Sequence, residues 1–121
     1  MTDRELLEMA AKGAGYYFHG HRSGCGNCYV SETNDTDDWF VWSPLTDDGD
    51  ALRLAVRLGL QIQPYPLYAE PKYAVLSHKG ILVDGEPKYT HGFSCVYEDD
   101  PVGATRRAIV LAAAEIGGAM P

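Results

Sequence analysis

The stretch WSPLTDDGDALRLAVRLGL, residues 42–60, decides the fold, because it joins a strand end, a helix start, an amphipathic helix and a helix stop. Pro44 ends the strand, since proline offers no donor to a strand ladder. Thr46 or Asp47 is the expected N-cap, because either side chain can accept from the free amides of the first turn. Gly59 is the expected residue in the left-handed conformation just after the helix. The stretch therefore predicts one capped helix between two strands.

The apolar spacing within this helix predicts the face that it buries. Leu52, Ala55, Val56 and Gly59 recur at intervals of three and four, which is typical of one buried stripe. The preceding run WFVW is aromatic and β-branched, and the residues after Gly59 alternate apolar with polar. The unit is expected to be strand, helix, strand.

Two further helices are expected near the two ends of the sequence. Residues 2–5, TDRE, form a capping box, and the glycines within residues 13–15 are expected to end that helix. Residues 100–101, DP, place an aspartate N-cap before a proline at the first helical position. The last helix is expected over residues 101–116, with the glycine pair at 117–118 as its stop.

The remaining apolar segments predict strands. Residues 16–32 are expected to form a β-hairpin around a glycine-rich turn. A later strand begins near Tyr73 and is interrupted by Gly80, and the pair Asp84-Gly85 predicts a tight hairpin. We expect an α+β fold in which N-terminal, central and C-terminal helices cover a mostly antiparallel sheet, as a single domain over residues 1–121.

Composition narrows the class of function. The chain has 121 residues and a formal net charge of −7, from 17 acidic against 10 basic residues. Direct nucleic-acid binding is therefore not expected, because binding to phosphates needs a basic face. There is no apolar run of about 18 residues and no signal-peptide pattern, so the prediction is a cytoplasmic protein without a membrane span. Three cysteines in such a chain predict no disulfide framework.

Two short motifs carry a resemblance to a known family. The first is W-x-P-x-T-D before the central helix, at Trp42, Pro44, Thr46 and Asp47. The second is D-P-x-x-A-x-R-A late in the chain, at Asp100, Pro101, Ala104, Arg106 or Arg107, and Ala108. The chain resembles small phage and prophage proteins that include the NinX-like proteins and the phage α-β-α sandwich domain. The resemblance implies an accessory protein of a phage or prophage, and it implies no mechanism.

The predicted hairpin turn holds a possible metal site, formed by His19, His21, Cys25 and Cys28. Zinc takes imidazole and thiolate ligands, and C-x-x-C is a common half-site. The prediction places both histidines on one strand face, across the turn from the cysteines. The alternative is a glycine-rich turn with reduced thiols, in which case no cofactor is bound. The expectation is therefore no cofactor, with zinc as the possible exception at this site.

A second candidate site is a contact surface for a ligand or partner. The segment after the central unit is rich in tyrosine and proline and contains Tyr65, Tyr68 and Tyr73. The helices also carry two arginine pairs that could clamp a phosphate or carboxylate if the helices lie side by side, namely Arg53, Arg57, Arg106 and Arg107. The alternative is that these arginines lie along helix surfaces and pair with nearby aspartates.

No catalytic residue is predicted, because the chain has no P-loop, no dinucleotide fingerprint and no nucleophile elbow. The leading hypothesis is a non-enzymatic phage or prophage accessory protein that binds a host protein, with a host defence system as one possible target. The second hypothesis is an oligomer that binds or sequesters a nucleotide-like small molecule. The third is a zinc-stabilised interaction domain.

Overall fold

The computed structural model describes residues 2–21, 28–33, 38–64, 74–84, 86–96 and 100–120. These residues form three helices, α1 (Asp3–Ala14), α2 (Asp48–Leu58) and α3 (Pro101–Gly118). They also form six strands, β1 (Tyr17–His21), β2 (Cys28–Ser31), β3 (Phe40–Trp42), β4 (Leu60–Pro64), β5 (Ala74–Val83) and β6 (Glu86–Val96). The expected α+β class is confirmed.

The strands lie in two sheets, whereas the sequence predicted one. Both sheets are antiparallel and three-stranded, with the orders β1-β2-β3 and β4-β5-β6. Helix α2 connects them, since it follows β3 and precedes β4. One hydrophobic core joins residues of α1, α2, α3, β2 and β3, and α3 also contacts β5 and β6. The helices therefore hold the two sheets together.

Helix α1 begins where the capping box predicted and ends later than its first glycine. The Thr2 hydroxyl accepts from the Glu5 amide at 3.2 Å, and Gly15 ends the helix at φ 79°. The prediction that Gly13 also helps to end α1 is wrong, because Gly13 is buried within the helix. A Cβ there would overlap the Ala113 carbonyl oxygen and lie 2.9 Å from the Gly117 nitrogen. The backbones of α1 and α3 therefore meet at Gly13 and Gly117.

Helix α3 starts at the predicted cap and runs past its predicted stop. Asp100 accepts from the Gly103 amide at 2.9 Å, and Pro101 takes the first helical position. The helix continues through Gly117 because this glycine packs against α1, where a Cβ would overlap the Met9 carbonyl oxygen. Val102, in the first turn, is 52% exposed. The rest of the helix buries Ile109, Ala112, Ala113 and Ile116, among others.

Helix α2 has the predicted ends, but its buried face is rotated from the predicted one. Asp47 caps it by accepting from the Asp50 amide at 2.8 Å, and Gly59 ends it at φ 64°. The predicted buried stripe is wrong at Leu52 and Val56, which are 61% and 73% exposed. Ala55 is buried as predicted, together with Ala51 and Leu54. Apolar residues occur on both faces of α2, so spacing alone did not select the inner one.

The hairpin of β1 and β2 contains an irregularity that the sequence pattern does not reveal. Phe18 pairs with Val30, but the next residue in register is Gly20, opposite Tyr29, so His19 is the extra residue of a β-bulge. Gly20 has φ 134°, a backbone conformation that glycine accommodates. The bulge breaks the alternation of faces along the strand. His19 and His21 therefore do not lie on one face as predicted.

Strand β5 of the second sheet is longer than predicted. It runs through Gly80, which pairs with Tyr89, and a register shift lies just before this glycine, between His78 and Gly80. Val83 pairs with Glu86, which confirms the tight hairpin predicted at residues 84–85. Asp84 has φ 53°, as such turns require at their first central position.

Candidate functional site

The arginines of α2 are held by neighbouring groups. Arg57 donates from Nε to the Ala14 carbonyl oxygen at 2.6 Å and from Nη1 to Glu32 at 3.4 Å. Its guanidinium also lies 4.5 Å from the centre of the Tyr16 ring. Arg53 donates to Asp50 at 2.7 Å, and this hydrogen bond raises the pKa of Arg53. Arg57 therefore ties α2 to the end of α1.

The arginines of α3 are likewise occupied. Arg106 donates to the Leu45 carbonyl oxygen at 2.9 Å and to Asp48 at 2.5 Å, while Arg107 donates to Asp3 at 3.1 Å. Each of the four arginines thus faces a carboxylate, as the alternative interpretation expected. They do not converge on one anion site. An added phosphate would have to displace an existing carboxylate partner.

The two histidines of the predicted metal site lie apart. The ring of His21 contacts Phe18 at a centroid distance of 4.9 Å, and the ring of His19 stacks on Trp39 at 4.0 Å. The prediction that both rings share one strand face is wrong, because the bulge places them on different sides. Cys25 lies outside the described residues. Within the described ranges, no group of three or more His, Cys, Asp or Glu side chains could hold a metal ion.

The structure reveals a serine–histidine contact that the sequence analysis missed. Nε2 of His19 lies 2.7 Å from Oγ of Ser31, and Ser31 is fully buried. The Ser31 hydroxyl also donates to the Thr33 carbonyl oxygen, so it accepts its other hydrogen bond from His19. A nucleophilic serine needs the reverse, an exposed hydroxyl that gives its proton to the histidine. The contact is structural in this arrangement. In the sequence, only the expected pairing of the two hairpin strands could have indicated this contact.

Cys28 is a buried thiol and a poor thiolate. Its side chain is fully buried, and Sγ donates to the Trp42 carbonyl oxygen at 3.3 Å. Burial, with a smaller contribution from Asp50, raises the pKa of Cys28 from 9.0 to about 12. A zinc ion at the hairpin would require Cys28 to give up this hydrogen bond and its proton. The residue thus has the character of a core side chain.

We expect Cys28 to resist thiol reagents while the protein is folded, since only the thiolate reacts. In a Cys25→Ser/Cys95→Ser variant, labelling by a chromogenic disulfide at about pH 8 should be at least about 100-fold slower in the native protein than in urea. The pKa of Cys28 is higher in the folded protein than in the unfolded chain. Its contribution to the free energy of unfolding is therefore complete below about pH 9 and is lost as the pH rises toward 12. Cys28→Ala should therefore flatten this part of the stability profile. Equal labelling rates in both states would contradict the assignment.

An exposed apolar surface lies on α2 and the start of α3. We call it the α2 stripe, and it consists of Leu52, Val56 and Val102, each more than half exposed. Leu52 and Val56 are one helical turn apart and so lie on the same side of α2. Leu52 and Val102 also line a depression of about 220 Å³ whose floor includes Ile62 and Ile109. The α2 stripe is therefore an exposed apolar surface that borders a shallow depression.

A larger concavity lies between α1 and β1. We call it the α1–β1 groove, and its volume is about 710 Å³. The aromatic side is formed by Tyr16, Tyr17 and Phe18, and the helical side by Glu5, Glu8 and Met9. Lys12 also borders the groove, but its ammonium donates to the Met120 carbonyl oxygen at 3.4 Å. The groove combines aromatic rings with carboxylates.

The predicted tyrosine contacts at Tyr65, Tyr68 and Tyr73 lie outside the described residues. In the part of the chain that the structure describes, no helix is long and apolar enough to cross a bilayer. The sequence matches no family model, and no curated protein or solved structure is significantly similar to it.

Proposed function

We propose that the chain is a non-enzymatic accessory protein of a phage or prophage that acts in the host cytoplasm by binding a host protein. The observation that carries the proposal is the α2 stripe. Leu52 and Val56 are 61% and 73% exposed although they belong to a well-capped helix. Large apolar side chains grouped on a surface mark interaction sites more often than isolated ones do.

The geometry of the α2 stripe favours a protein partner. Two apolar residues one turn apart on a helix are the usual anchors when a helix lies in a groove of another protein. The hollow beside them can receive a side chain from that partner. The rim is polar and charged, with Asp48 and Arg106 at the hollow and Arg53 next to Leu52. An apolar centre with a polar rim is the common anatomy of protein interfaces.

The phage origin and a host defence system as the target rest on the two sequence motifs. In the structure these motifs are helix caps, at Asp47 for α2 and Asp100 for α3. Arg106, one of the two arginines at the second motif, links α3 to the segment before α2. The motif residues therefore hold α2 in position against α3. In this way they support the surface on α2 that we propose as the binding site.

A small-molecule binder is the second candidate, and the α1–β1 groove supports it. Its volume lies within the range of ligand pockets, about 300–1,000 Å³. The lining carries Glu5 and Glu8, and the four arginines are paired elsewhere. This electrostatic environment favours a neutral or cationic ligand over the nucleotide-like one expected from the sequence. A zinc-stabilised domain, the third hypothesis, draws no support from the described residues, because His19 and His21 lie on different sides of the strand and Cys28 is buried.

The test is affinity capture from host lysate with three versions of the protein. In Leu52→Glu/Val56→Lys the two new charges are opposite and one turn apart, which favours the helix and leaves the net charge unchanged. We expect this variant to keep its circular dichroism spectrum and to lose the captured host protein. Leu52→Met/Val56→Ile keeps the surface apolar and should retain it. Identical captured proteins for all three versions would count against the α2 stripe.

A further inference from the structure

The α1–β1 groove has a net negative charge. Among the described residues, Glu8 is exposed and forms no ion pair, and the carboxylate of Glu5 accepts from the Thr2 hydroxyl at 3.1 Å. The ammonium of Lys12, the cation at the border, is directed to the carbonyl of Met120. Lys12 keeps its positive charge at the border, so the three charged side chains of the lining, Glu5, Glu8 and Lys12, sum to a net charge of −1. Among the described residues, neither glutamate has an ion-pair partner. A cationic group of a binding partner would supply one.

The opposite side of the groove is aromatic. Tyr17 is 47% exposed, and Tyr16 and Phe18 are partly exposed beside it. Planar cations lie favourably on aromatic rings, and guanidinium does so more often than ammonium. The protein already uses this contact once, because Arg57 lies over the ring of Tyr16. The groove offers the same kind of aromatic ring together with the carboxylates that a guanidinium pairs with.

We infer that the α1–β1 groove binds an arginine side chain presented by the protein partner. The guanidinium lies between the aromatic side of the groove and the carboxylates of Glu5 and Glu8. At about 710 Å³ the groove also has room for the residues next to that arginine. This inference rests on the proposed function, and it adds the chemistry of the partner: an exposed arginine on a basic segment. The net charge of −7 favours the approach of such a segment.

The test is a titration of the full-length ¹⁵N-labelled protein with N-acetyl-arginine N-methylamide, followed by amide chemical shifts. The neutral isostere N-acetyl-citrulline N-methylamide is the control ligand. We expect saturable shifts for Met9, Lys12, Tyr17 and Phe18 with the arginine compound and none with citrulline. The lysine analogue should bind more weakly, because its ammonium does not stack as a plane.

Matched variants separate the groove from general charge. Glu5→Gln and Glu8→Gln keep the size of each side chain, and each should raise Kd about two- to fivefold, the range for an exposed ion pair. Glu115→Gln removes the same charge from α3 outside the groove and should change nothing. Equal shifts with citrulline, or a Kd unchanged in the double Glu5→Gln/Glu8→Gln variant, would overturn the inference.

The outcome can be told apart from a failure of the proposed function. If capture of the host protein depends on Leu52 and Val56 but the groove does not bind the arginine compound, the proposed function stands and only this inference is wrong. A groove that binds arginine in a protein that captures no partner would leave a guanidinium site and remove the proposed function.

Discussion

Gly13→Ala should lower the free energy of unfolding by about 2 kcal/mol or more, although alanine favours a helix by up to about 1 kcal/mol. The added methyl group would overlap the Ala113 carbonyl oxygen and lie 2.9 Å from the Gly117 nitrogen. Both are backbone atoms, so no flexible side chain can move aside. Helices α1 and α3 would have to separate along the buried core that they share. Urea unfolding followed by circular dichroism measures the change.

Gly118→Ala is the matched control for this effect. It lies in the same helix as Gly117, is exposed, and would place its methyl group in open space. We expect no loss of stability, and a gain of up to about 1 kcal/mol from helix propensity. A Gly13→Ala protein as stable as the wild type would mean that α1 and α3 do not approach as closely as described.

Trp42→Ala should cost about 3–5 kcal/mol, the range for removing a large buried aromatic side chain. Trp42 is 2% exposed, and its ring packs edge-on against Tyr16 at a centroid distance of 5.6 Å. It lies in the core with Leu7 and Leu54, so the cavity would open where α1, α2 and β3 meet. Thermal and urea unfolding both report the loss, together with the disappearance of the buried indole fluorescence.

Trp39→Ala provides the comparison, since it removes the same side chain three residues earlier. Trp39 is 45% exposed and stacks on His19, outside the core. Its replacement should cost about 1 kcal/mol, the value of one aromatic contact. Similar losses for Trp42→Ala and Trp39→Ala would contradict the position of Trp42 at the centre of the core.

The helix ends were predictable because they depend on local chemistry. Thr2, Asp47 and Asp100 each cap a helix through a hydrogen bond to an amide three residues ahead, as the motifs indicated. Gly15 and Gly59 adopt the expected left-handed conformation. These bonds form within one turn, so they need no knowledge of what packs on the helix.

The buried face of α2 and the role of Gly13 were not predictable in the same way. Leu52 and Val56 satisfy a helical spacing as well as Ala51 and Ala55 do, and only the positions of the other elements decide between them. A glycine near a helix end indicates a stop by local rules. At Gly13, glycine is required instead by the close approach of α3. The contacting residues of α3 are about 100 positions away in the sequence.

The candidate sites depended on pairings that the sequence leaves open. The same-face placement of His19 and His21 assumed a regular strand, and the bulge moved the two rings apart. The anion clamp assumed that helix arginines converge, whereas Arg106 and Arg107 meet Asp48 and Asp3. The α1–β1 groove joins residues 5–18 across a helix and a strand, so its shape follows from their packing and has no linear motif.

The α2 stripe is tested most sharply by calorimetry, which measures the affinity of a captured host protein for wild-type protein and for Leu52→Glu/Val56→Lys. Covering the exposed parts of both side chains is worth about 2 kcal/mol or more, so the variant should bind at least about 30-fold more weakly. Leu52→Met/Val56→Ile should bind within about threefold of the wild type, since its surface stays apolar. A Kd for Leu52→Glu/Val56→Lys within twofold of the wild-type value would contradict the central claim that the α2 stripe is the binding surface.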